Sequence, residues 1–314
     1  MRIQIYGAGV AGTFLYHLLK DDFEVEVFDK RENPDCRCAW GIAYKEAKEL
    51  YKGIGIDLDE YFLLKPKYSV INGVYLKNKN VVIFDKKKLL EDLWQDIEFG
   101  EISNADVVID ATGVARAYLP PIENDRVLPT FQTLERHEMD ENIYIHLTKT
   151  GYAWAFPLGN GKWHIGAGEF SLEKCFELIQ KLRERYGFKN SDHECKCVSK
   201  VRILQPSKCK PFIYGNIVGV GEAIGCVSGA GEGNVPALQS AKILYECIIK
   251  DELKRYEERI LKELEWIEIE QRFVDYYMNN KKLSALKLLP KVISIESKRS
   301  VSLSISEFRR LIGL

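Results

Sequence analysis

The sequence predicts a mixed α/β fold, in which a parallel sheet is interrupted by an antiparallel sheet and followed by C-terminal helices. Apolar strands run into glycine turns within residues 3–12 and 105–113, as is typical of strands buried in a parallel sheet. Residues 118–170 carry alternating and aromatic strands instead, which indicate an antiparallel sheet. Residues 251–314 are charged, with apolar side chains at helical spacing, so this region is predicted to be helical.

The first glycine turn has the pattern of a dinucleotide-binding fingerprint. In such a turn the first glycine permits the tight bend, the second lets the backbone approach a pyrophosphate, and the third lets the helix pack on the strand. A second strand then ends in Asp29, where a carboxylate can accept ribose hydroxyls. An ordinary strand-helix turn is the alternative, which Asp29 disfavours. The predicted contacts of this Rossmann-like unit are Gly7, Gly9, Ala11, Gly12, Asp29 and Lys30.

A second glycine-rich segment lies far along the chain, at residues 219–233, between an apolar strand and a helical pattern over 235–249. Two such segments are expected to form the two halves of one cofactor site, which favours FAD over NAD. Backbone N–H groups at a helix N-terminus stabilise the negative charge of a reduced flavin. An ordinary loop before a helix is the alternative. The predicted contacts are Gly221, Glu222, Gly231, Gly233 and Asn234.

The predicted nucleotide-binding unit is therefore discontinuous along the chain. We expect three units: an FAD-binding domain, an antiparallel-sheet substrate domain and a C-terminal helical region. The FAD-binding domain comprises residues 1–67, 85–117 and 200–250. The substrate domain comprises residues 68–84 and 118–199, and the helical region comprises residues 251–314.

Two local features are also predicted. The strands Tyr68–Leu76 and Val81–Phe84 flank the turn Lys77-Asn78-Lys79-Asn80 as a hairpin. Pro290 is expected to break the C-terminal helical pattern. That region is interpreted as helices packed on the domain, although lysines interleaved with leucines over 281–291 leave a peripheral contact with a membrane surface as the alternative.

Size, charge and composition narrow the functional classes. The chain has 314 residues and a formal net charge of −1, so bulk attraction to nucleic acid is not indicated. No apolar signal segment and no apolar run of membrane-spanning length is present, and a cytoplasmic location is expected. Four of the eight cysteines form the pairs Cys36/Cys38 and Cys195/Cys197. Because structural zinc sites prefer wider spacing, no metal site is predicted; thiols are favoured, and disulfides stay open.

Several segments together resemble the geranylgeranyl reductase family, within the flavoprotein group whose fold is like that of p-hydroxybenzoate hydroxylase. Their order and approximate spacing agree across residues 1 to about 250, and the Tyr-x-Trp-x-Phe-Pro element is the most family-specific part. The segments are Gly7 to Gly12 with Asp29, Asp110-Ala111-Thr112-Gly113, Gly151-Tyr152-Ala153-Trp154-Ala155-Phe156-Pro157, Gly166-Ala167-Gly168, and Gly221-Glu222-Ala223 with Gly229 to Gly233.

The resemblance implies an FAD with its adenosine on the first unit and its isoalloxazine facing the antiparallel sheet. It adds Ala111, Thr112 and Gly113 to the predicted cofactor contacts. In the family, the reduced flavin delivers hydride to carbon-carbon double bonds of an isoprenoid chain. The electron donor stays open between NADPH and ferredoxin, since no second complete dinucleotide fingerprint is found. A flavin-dependent monooxygenase or halogenase, and a non-redox, cyclase-like FAD protein, are the alternative functions.

The sequence departs from the family pattern in three respects, one of which is a chain shorter than typical members, with a compressed stretch between Leu93 and Asp106. Glu222 stands where such flavoproteins usually carry an aspartate that binds the ribityl chain. Lysines at 86–88 occupy the region where an arginine commonly precedes the early helix.

Four residues are predicted to act on the substrate. Tyr152, Trp154 and Phe156 alternate along one strand and so point to one face, which suits an apolar substrate; sheet core is the alternative. Cys38 lies in a segment that resembles the loop where archaeal members place a cysteine beside the flavin, and it could position or help protonate the alkene. The alternatives for Cys38 are an inert buried thiol or a partner of Cys36.

Overall fold

The computed structural model of the chain describes residues 1–35 and 39–312. Within these ranges the strands are β1 (Arg2–Tyr6), β2 (Glu24–Phe28), β3 (Gly41–Ala43), β4 (Phe62–Leu64), β5 (Tyr68–Ile71), β6 (Val74–Lys77), β7 (Val81–Phe84), β8 (Val107–Asp110), β9 (Val127–Arg136), β10 (Ile143–Leu147), β11 (Tyr152–Gly159), β12 (Lys162–Gly168), β13 (His193–Arg202), β14 (Ile213–Tyr214) and β15 (Ile217–Gly219). The α-helices are α1 (Val10–Leu19), α2 (Tyr44–Lys52), α3 (Lys86–Trp94), α4 (Leu172–Tyr186), α5 (Asn234–Ile249), α6 (Tyr256–Glu263), α7 (Glu265–Met278), α8 (Lys282–Arg299) and α9 (Ile305–Ile312).

The predicted parallel sheet is confirmed. Its strand order is β14-β15-β8-β1-β2, and all neighbours are parallel except β14, which pairs antiparallel with β15 at one edge. Ile3, Ile5 and Ile109 are fully buried in the core that the sheet shares with α1 and α5. The strands β1, β8 and β15 end at Tyr6, Asp110 and Gly219, so the glycine turns that follow them meet at one sheet edge.

The predicted antiparallel sheet is also confirmed, as seven strands in the order β13-β9-β12-β11-β10-β5-β6. Only the β10–β5 pair is parallel among its neighbours. The helix α4 packs on one face through Cys175, Leu178 and Leu182, which are buried at helical spacing. The other face carries the aromatic side chains of β11 towards the parallel sheet.

The predicted hairpin turn at residues 77–80 is wrong. The chain reverses at Asn72 and Gly73, which have φ values of 49° and 82°, and β5 then pairs with β6. An Asn-Gly pair favours this left-handed two-residue turn more strongly than Lys-Asn-Lys-Asn favours a longer loop. The strand β7 pairs with β3 and β4 in a separate three-stranded sheet.

The predicted break at Pro290 is also wrong, because α8 continues through this residue. Pro290 has no N–H group, so the carbonyl of Leu286 loses its hydrogen-bond donor within the helix. Both residues lie on the exposed side of α8, where water can replace that hydrogen bond. On the opposite side, Leu289, Val292 and Ile293 form one buried stripe that spans the proline and packs against α7. Among the described residues, no helix combines the length and apolar character needed to cross a membrane.

A buried carboxylate ties α4 to the antiparallel sheet. Glu135, on β9, accepts hydrogen bonds from Arg183 at 2.7 and 2.9 Å and from Thr133 and His137. Burial acts against ionisation, but these hydrogen bonds outweigh it and lower the pKa of Glu135. The group therefore contributes stability that is lost as the pH falls through its lowered pKa.

Replacing Arg183 with methionine is expected to reduce the free energy of unfolding at neutral pH by about 3–5 kcal/mol, since it leaves the Glu135 carboxylate buried without its cation. Urea denaturation measures the change. Arg185→Met, at an exposed site on the same helix, serves as the control and should stay within about 0.5 kcal/mol of the wild type. Equal effects of the two substitutions would contradict this account.

Candidate cofactor and substrate site

A cavity of about 660 Å³ lies between the carboxyl edge of the parallel sheet and the aromatic face of the antiparallel sheet. This volume is within the range of roughly 300–1,000 Å³ typical of ligand pockets. The predicted site residues that line it are Gly9, Ala11, Ala111, Thr112, Gly113, Tyr152, Trp154, Phe156, Gly221, Glu222, Gly231, Gly233 and Asn234. The predicted residues Gly7, Gly12, Asp29 and Lys30 are not part of the lining, and Cys38 lies outside the described residues.

The three glycines of the first turn have the separate roles that a dinucleotide fingerprint requires. Gly7 has a φ of +105°, which permits the tight bend. A Cβ on Gly12 would lie 1.9 Å from the Gly7 carbonyl oxygen, so only glycine lets α1 pack this closely on the turn. A Cβ on Gly9 would meet no atom within 4 Å and would enter the cavity. Gly9 therefore leaves an open cradle at the N-terminus of α1, where a pyrophosphate fits.

The second glycine segment lies directly against the first. Gly221 has a φ of +67°, and a Cβ built on it would lie 3.1 Å from the Ala11 Cβ. Its amide donates a 2.9 Å hydrogen bond to the Ser240 hydroxyl of α5. Contact between α1 and the segment before α5 thus brings the two predicted halves of the cofactor site together.

The turn after β8 is fixed by a buried carboxylate. Asp110 accepts hydrogen bonds from the amide and hydroxyl of Thr112 at 3.1 and 2.6 Å, and from the amides of Tyr118 and Leu119. These contacts hold residues 111–113 at the cavity wall, whereas Asp110 itself does not line the cavity.

The carboxylate of Asp29 is enclosed by its own neighbours. It accepts the Ala8 amide at 2.7 Å and the Arg31 guanidinium at 2.7 Å. Burial acts against ionisation of Asp29, but the hydrogen bonds from Arg31 and Ala8 outweigh it and hold the pKa of the carboxyl below its usual value. Arg31 itself lines the cavity, and sequence reasoning missed it. A ribose contact by Asp29 stays a prediction, while Lys30 is exposed.

Hydrogen bonds within the chain hold the loop before α5 in place. The Gly231 amide donates to the Ser228 carbonyl, and the Gly229 amide donates to the Glu270 carboxylate at 3.1 Å. Gly233 and Asn234, at the start of α5, line the cavity, and the first amides of a helix have no acceptor within it. These N-terminal amides, rather than those of Gly229 and Gly231, are therefore suited to a negatively charged ligand.

Glu222 has a specific backbone partner. Its carboxylate accepts the Arg202 amide at 2.7 Å, and the Arg202 side chain is paired with Asp125 at 2.9 Å. Burial raises the pKa of Glu222, against the opposing effects of Arg202 and of the positive charge of Lys86. Lys86 begins α3 and lines the cavity.

The aromatic residues of β11 share one wall of the cavity, as predicted from their alternation. Tyr152 and Phe156 approach glycines closely, because a Cβ on Gly231 would lie 2.7 Å from the Tyr152 hydroxyl and a Cβ on Gly41 would lie 2.7 Å from the Phe156 ring. The Trp154 indole N–H donates to Gln132 at 3.0 Å. The aromatic wall is thus in direct contact with the second glycine segment.

The C-terminal helices supply a further apolar wall that sequence reasoning missed. Four residues of this wall lie on one face of α7 at helical spacing. That spacing is the only local sequence pattern that could have indicated them. The apolar lining residues from this region are Phe273, Val274, Tyr277, Met278, Val292, Val301, Leu303, Phe308 and Leu311.

Only the cysteine pair Cys195/Cys197 lies within the described part of the chain, and it belongs to no group that could hold a metal ion. Cys36 and Cys38 lie outside the described residues, and Cys195 and Cys197 lie on the edge strand β13, with Cys197 at the cavity wall. In residues 1–35 and 39–312, no group of three or more histidine, cysteine, aspartate or glutamate side chains could hold a metal ion.

Comparison with known proteins identifies the fold. No protein-family model matches the chain. An uncharacterized protein of Methanocaldococcus jannaschii is 25% identical, over 96% of this chain and 98% of that protein.

Three solved structures share the architecture at low identity. A geranylgeranyl bacteriochlorophyll reductase-like protein from Thermoplasma acidophilum has a TM-score of 0.73 at 16% identity, covering 99% of this chain and 95% of that one. A flavoprotein/dehydrogenase from Cytophaga hutchinsonii has a TM-score of 0.67 at 14% identity, covering 89% and 87%. HpxO of Klebsiella pneumoniae, complexed with FAD and uric acid, has a TM-score of 0.63 at 11% identity, covering 92% of each. The predicted flavoprotein fold, like that of geranylgeranyl reductase-like proteins, is confirmed.

The two glycines of the first turn should respond differently to alanine. Gly12→Ala is expected to lower the free energy of unfolding by at least about 3 kcal/mol, the upper end of typical overpacking costs, because its methyl meets backbone that cannot rotate away. Gly9→Ala should cost less than about 1 kcal/mol, since its methyl enters open space. Guanidinium denaturation of the cofactor-free protein measures both, and similar losses in the two variants would argue against the packing described.

Proposed function

We propose that the protein is an FAD-dependent oxidoreductase that reduces carbon-carbon double bonds of an isoprenoid lipid. One observation carries the proposal: the two glycine segments, the aromatic strand and the apolar helical wall all border a single cavity. The fold is shared with HpxO, which has been solved with FAD. The segment-by-segment resemblance to geranylgeranyl reductases adds support for the substrate class.

FAD fits the residues of this chain. Gly9 offers the open cradle for the pyrophosphate, with Gly7, Ala11 and Gly12 shaping the turn around it. The other proposed contacts are Asp29, Lys30, Ala111, Thr112, Gly113, Gly221, Glu222, Gly231, Gly233 and Asn234. In this proposal, residues 1–67, 85–117 and 200–250 form the FAD-binding domain, and residues 68–84 and 118–199 form the substrate domain.

The walls of the cavity suit a long apolar chain. Bound FAD, once reduced by NADPH or ferredoxin, would supply a hydride to one carbon of the double bond. Tyr152, Trp154 and Phe156 hold the alkene against the second glycine segment, and the side chains of α7 to α9 exclude water from its tail. Cys38, predicted to position the alkene or to help deliver the proton, keeps that proposed role.

The decisive test is anaerobic reduction of the FAD-loaded protein, followed by incubation with polyprenyl lipids and mass spectrometry. Lipid masses are expected to rise by whole pairs of hydrogens, with stoichiometric reoxidation of the flavin. Gly9→Ala is the matched control, since it should stay folded but bind FAD at least about 10-fold more weakly.

The alternatives give different results in the same experiment. Rapid reoxidation by air, stimulated by an aromatic compound, with every polyprenyl lipid unchanged, would indicate a monooxygenase. A bound flavin that resists reduction would indicate a non-redox role.

A peripheral membrane contact would give such a lipid access to the cavity. Leu283 is 78% exposed and Leu286 is also exposed, and both lie among the exposed lysines of the segment 281–291. An exposed apolar edge flanked by lysines suits the surface of an anionic bilayer. We propose α8 as this contact.

The double variant Leu283→Asp, Leu286→Asp is expected to sediment with anionic phospholipid vesicles at least about 10-fold less than the wild type, because two apolar contacts become charged. Tyr214→Asp, at an exposed site on β14, is the control and should sediment normally. Unchanged sedimentation of the double variant would exclude α8 as the contact.

A further inference from the structure

Three carboxylates come together in the wall of the cavity beside the second glycine segment. Glu232 belongs to that segment, Glu270 to α7 and Glu296 to α8, and all three line the cavity. Glu270 is the most deeply buried, at 2% exposure. One of its oxygens accepts the Gly229 amide at 3.1 Å.

The other oxygen of Glu270 lacks a hydrogen-bond donor. Glu270 Oε1 is fully buried, and no group in the described chain donates to it. The nearby cation, Arg299, is engaged elsewhere: it pairs with Glu232 at 3.0 Å and lies 3.8 Å over the Trp266 ring. Glu232 therefore has a counter-ion, whereas Glu270 has none of its own.

Protonation of Glu270 would remove both the unpaired buried charge and the unsatisfied acceptor. A buried carboxylate without a donor or cation is costly, and a second carboxylate beside it, Glu296, increases the cost. Burial first, and then the charge and hydrogen bond of Glu296, raise the pKa of Glu270 well above its usual value, while Arg299 opposes the shift. With a proton shared between Glu270 and Glu296, Oε1 becomes a donor instead of an unsatisfied acceptor.

The loop that carries the second glycine motif links the Glu270 carboxyl to the aromatic wall formed by β11. The Gly229 amide holds Glu270, and two residues further on Gly231 lies against the Tyr152 hydroxyl. The loop that carries the second glycine motif thus runs from the acid to the aromatic face, along one cavity wall.

We propose that Glu270 and Glu296, which share one proton, are the general acid that protonates the substrate alkene, which leaves Cys38 the positioning part of its proposed role. This inference rests on the proposed function. The alkene would gain a hydride at one carbon, from the reduced cofactor, and at the other carbon the proton that Glu270 shares with Glu296, the half-buried member of the pair. The C–C π bond and one carboxyl O–H bond would break, two C–H bonds would form, the cofactor would be oxidised, and the carboxyl pair would regain its proton from water through Glu296.

The proposal predicts a characteristic pH dependence. Because the pKa is raised, the donor form is present at low pH and is lost as the pH rises through that value, and the stability contributed by the protonated carboxyl falls in the same window. The charged groups that face Glu270 are Glu296 and Arg299 on α8 and Glu232 on the loop, and Glu46 of α2 lies near Arg299 at 3.8 Å.

The test compares Glu270→Gln, which keeps the shape and the acceptor for Gly229, with Glu270→Asp and with Glu265→Gln, an exposed site on the same helix. Anaerobic stopped-flow measures reoxidation of the reduced protein by a polyprenyl alkene across pH. Glu270→Gln should slow it about 10²–10³-fold and abolish the high-pH decline, as expected for loss of a general acid. Glu270→Asp should restore part of the rate and the decline, and Glu265→Gln should behave as wild type.

A second measurement needs no cofactor. Infrared spectra of the apo-protein should show a protonated-carboxyl band that disappears as the pH rises and is reduced in Glu270→Gln. Equal reoxidation rates in the wild type and Glu270→Gln, with a normal flavin reduction, would overturn this inference alone. A wild-type protein that no alkene reoxidises would overturn the proposed function and this inference with it.

Discussion

The close approach of α1 to the turn that precedes it is the constraint on which the rest of the site depends. Because Gly12 has no side chain, the first turn of the helix lies directly on the Gly7 carbonyl. That contact sets the position of Ala11, against which Gly221 packs. The second glycine segment is thus located by the first, although 200 or so residues of chain separate them. The cofactor edge, the loop before α5 and the cavity wall beyond it all follow from this one packing arrangement.

Charge compensation distinguishes Glu270 from three buried carboxylates that each have a cation. Asp29 is paired with Arg31, Glu135 with Arg183 and Glu232 with Arg299, each at 3.0 Å or less. Such pairing is needed because a buried charge without a partner costs several kcal/mol. Asp110 is buried without an ion pair to the described residues as well, but its two oxygens accept four hydrogen bonds. Glu270 Oε1 accepts none from the described residues, so a protonated carboxyl is the better physical account of Glu270.

The sequence predicts those parts of the structure whose signals are local. Strand runs that end in glycine turns identify the parallel sheet, and alternating and aromatic strands over 118–170 identify the antiparallel sheet. The break at Pro290 fails because tertiary packing of Leu289 and Val292 outweighs the loss of one helical hydrogen bond. Arg31 and the α7 wall were missed for a different reason. Neither belongs to a motif, and only the folded chain brings them to the glycine turns.

The helix α7 couples the apolar wall to the acid. Glu270, Val274 and Tyr277 follow each other at helical spacing, so one stripe of the helix presents the carboxyl and the apolar side chains to the same cavity. Glu270 is already buried, so an apolar chain that fills this cavity displaces water from the half-buried Glu296 and from the aromatic face. Removal of water from Glu296 further disfavours a second negative charge in the pair. In the proposed reaction, binding of the alkene therefore favours the state in which the pair holds the proton that the next step requires, and a ligand too short to reach α8 would leave Glu296 hydrated and the pair less able to hold that proton.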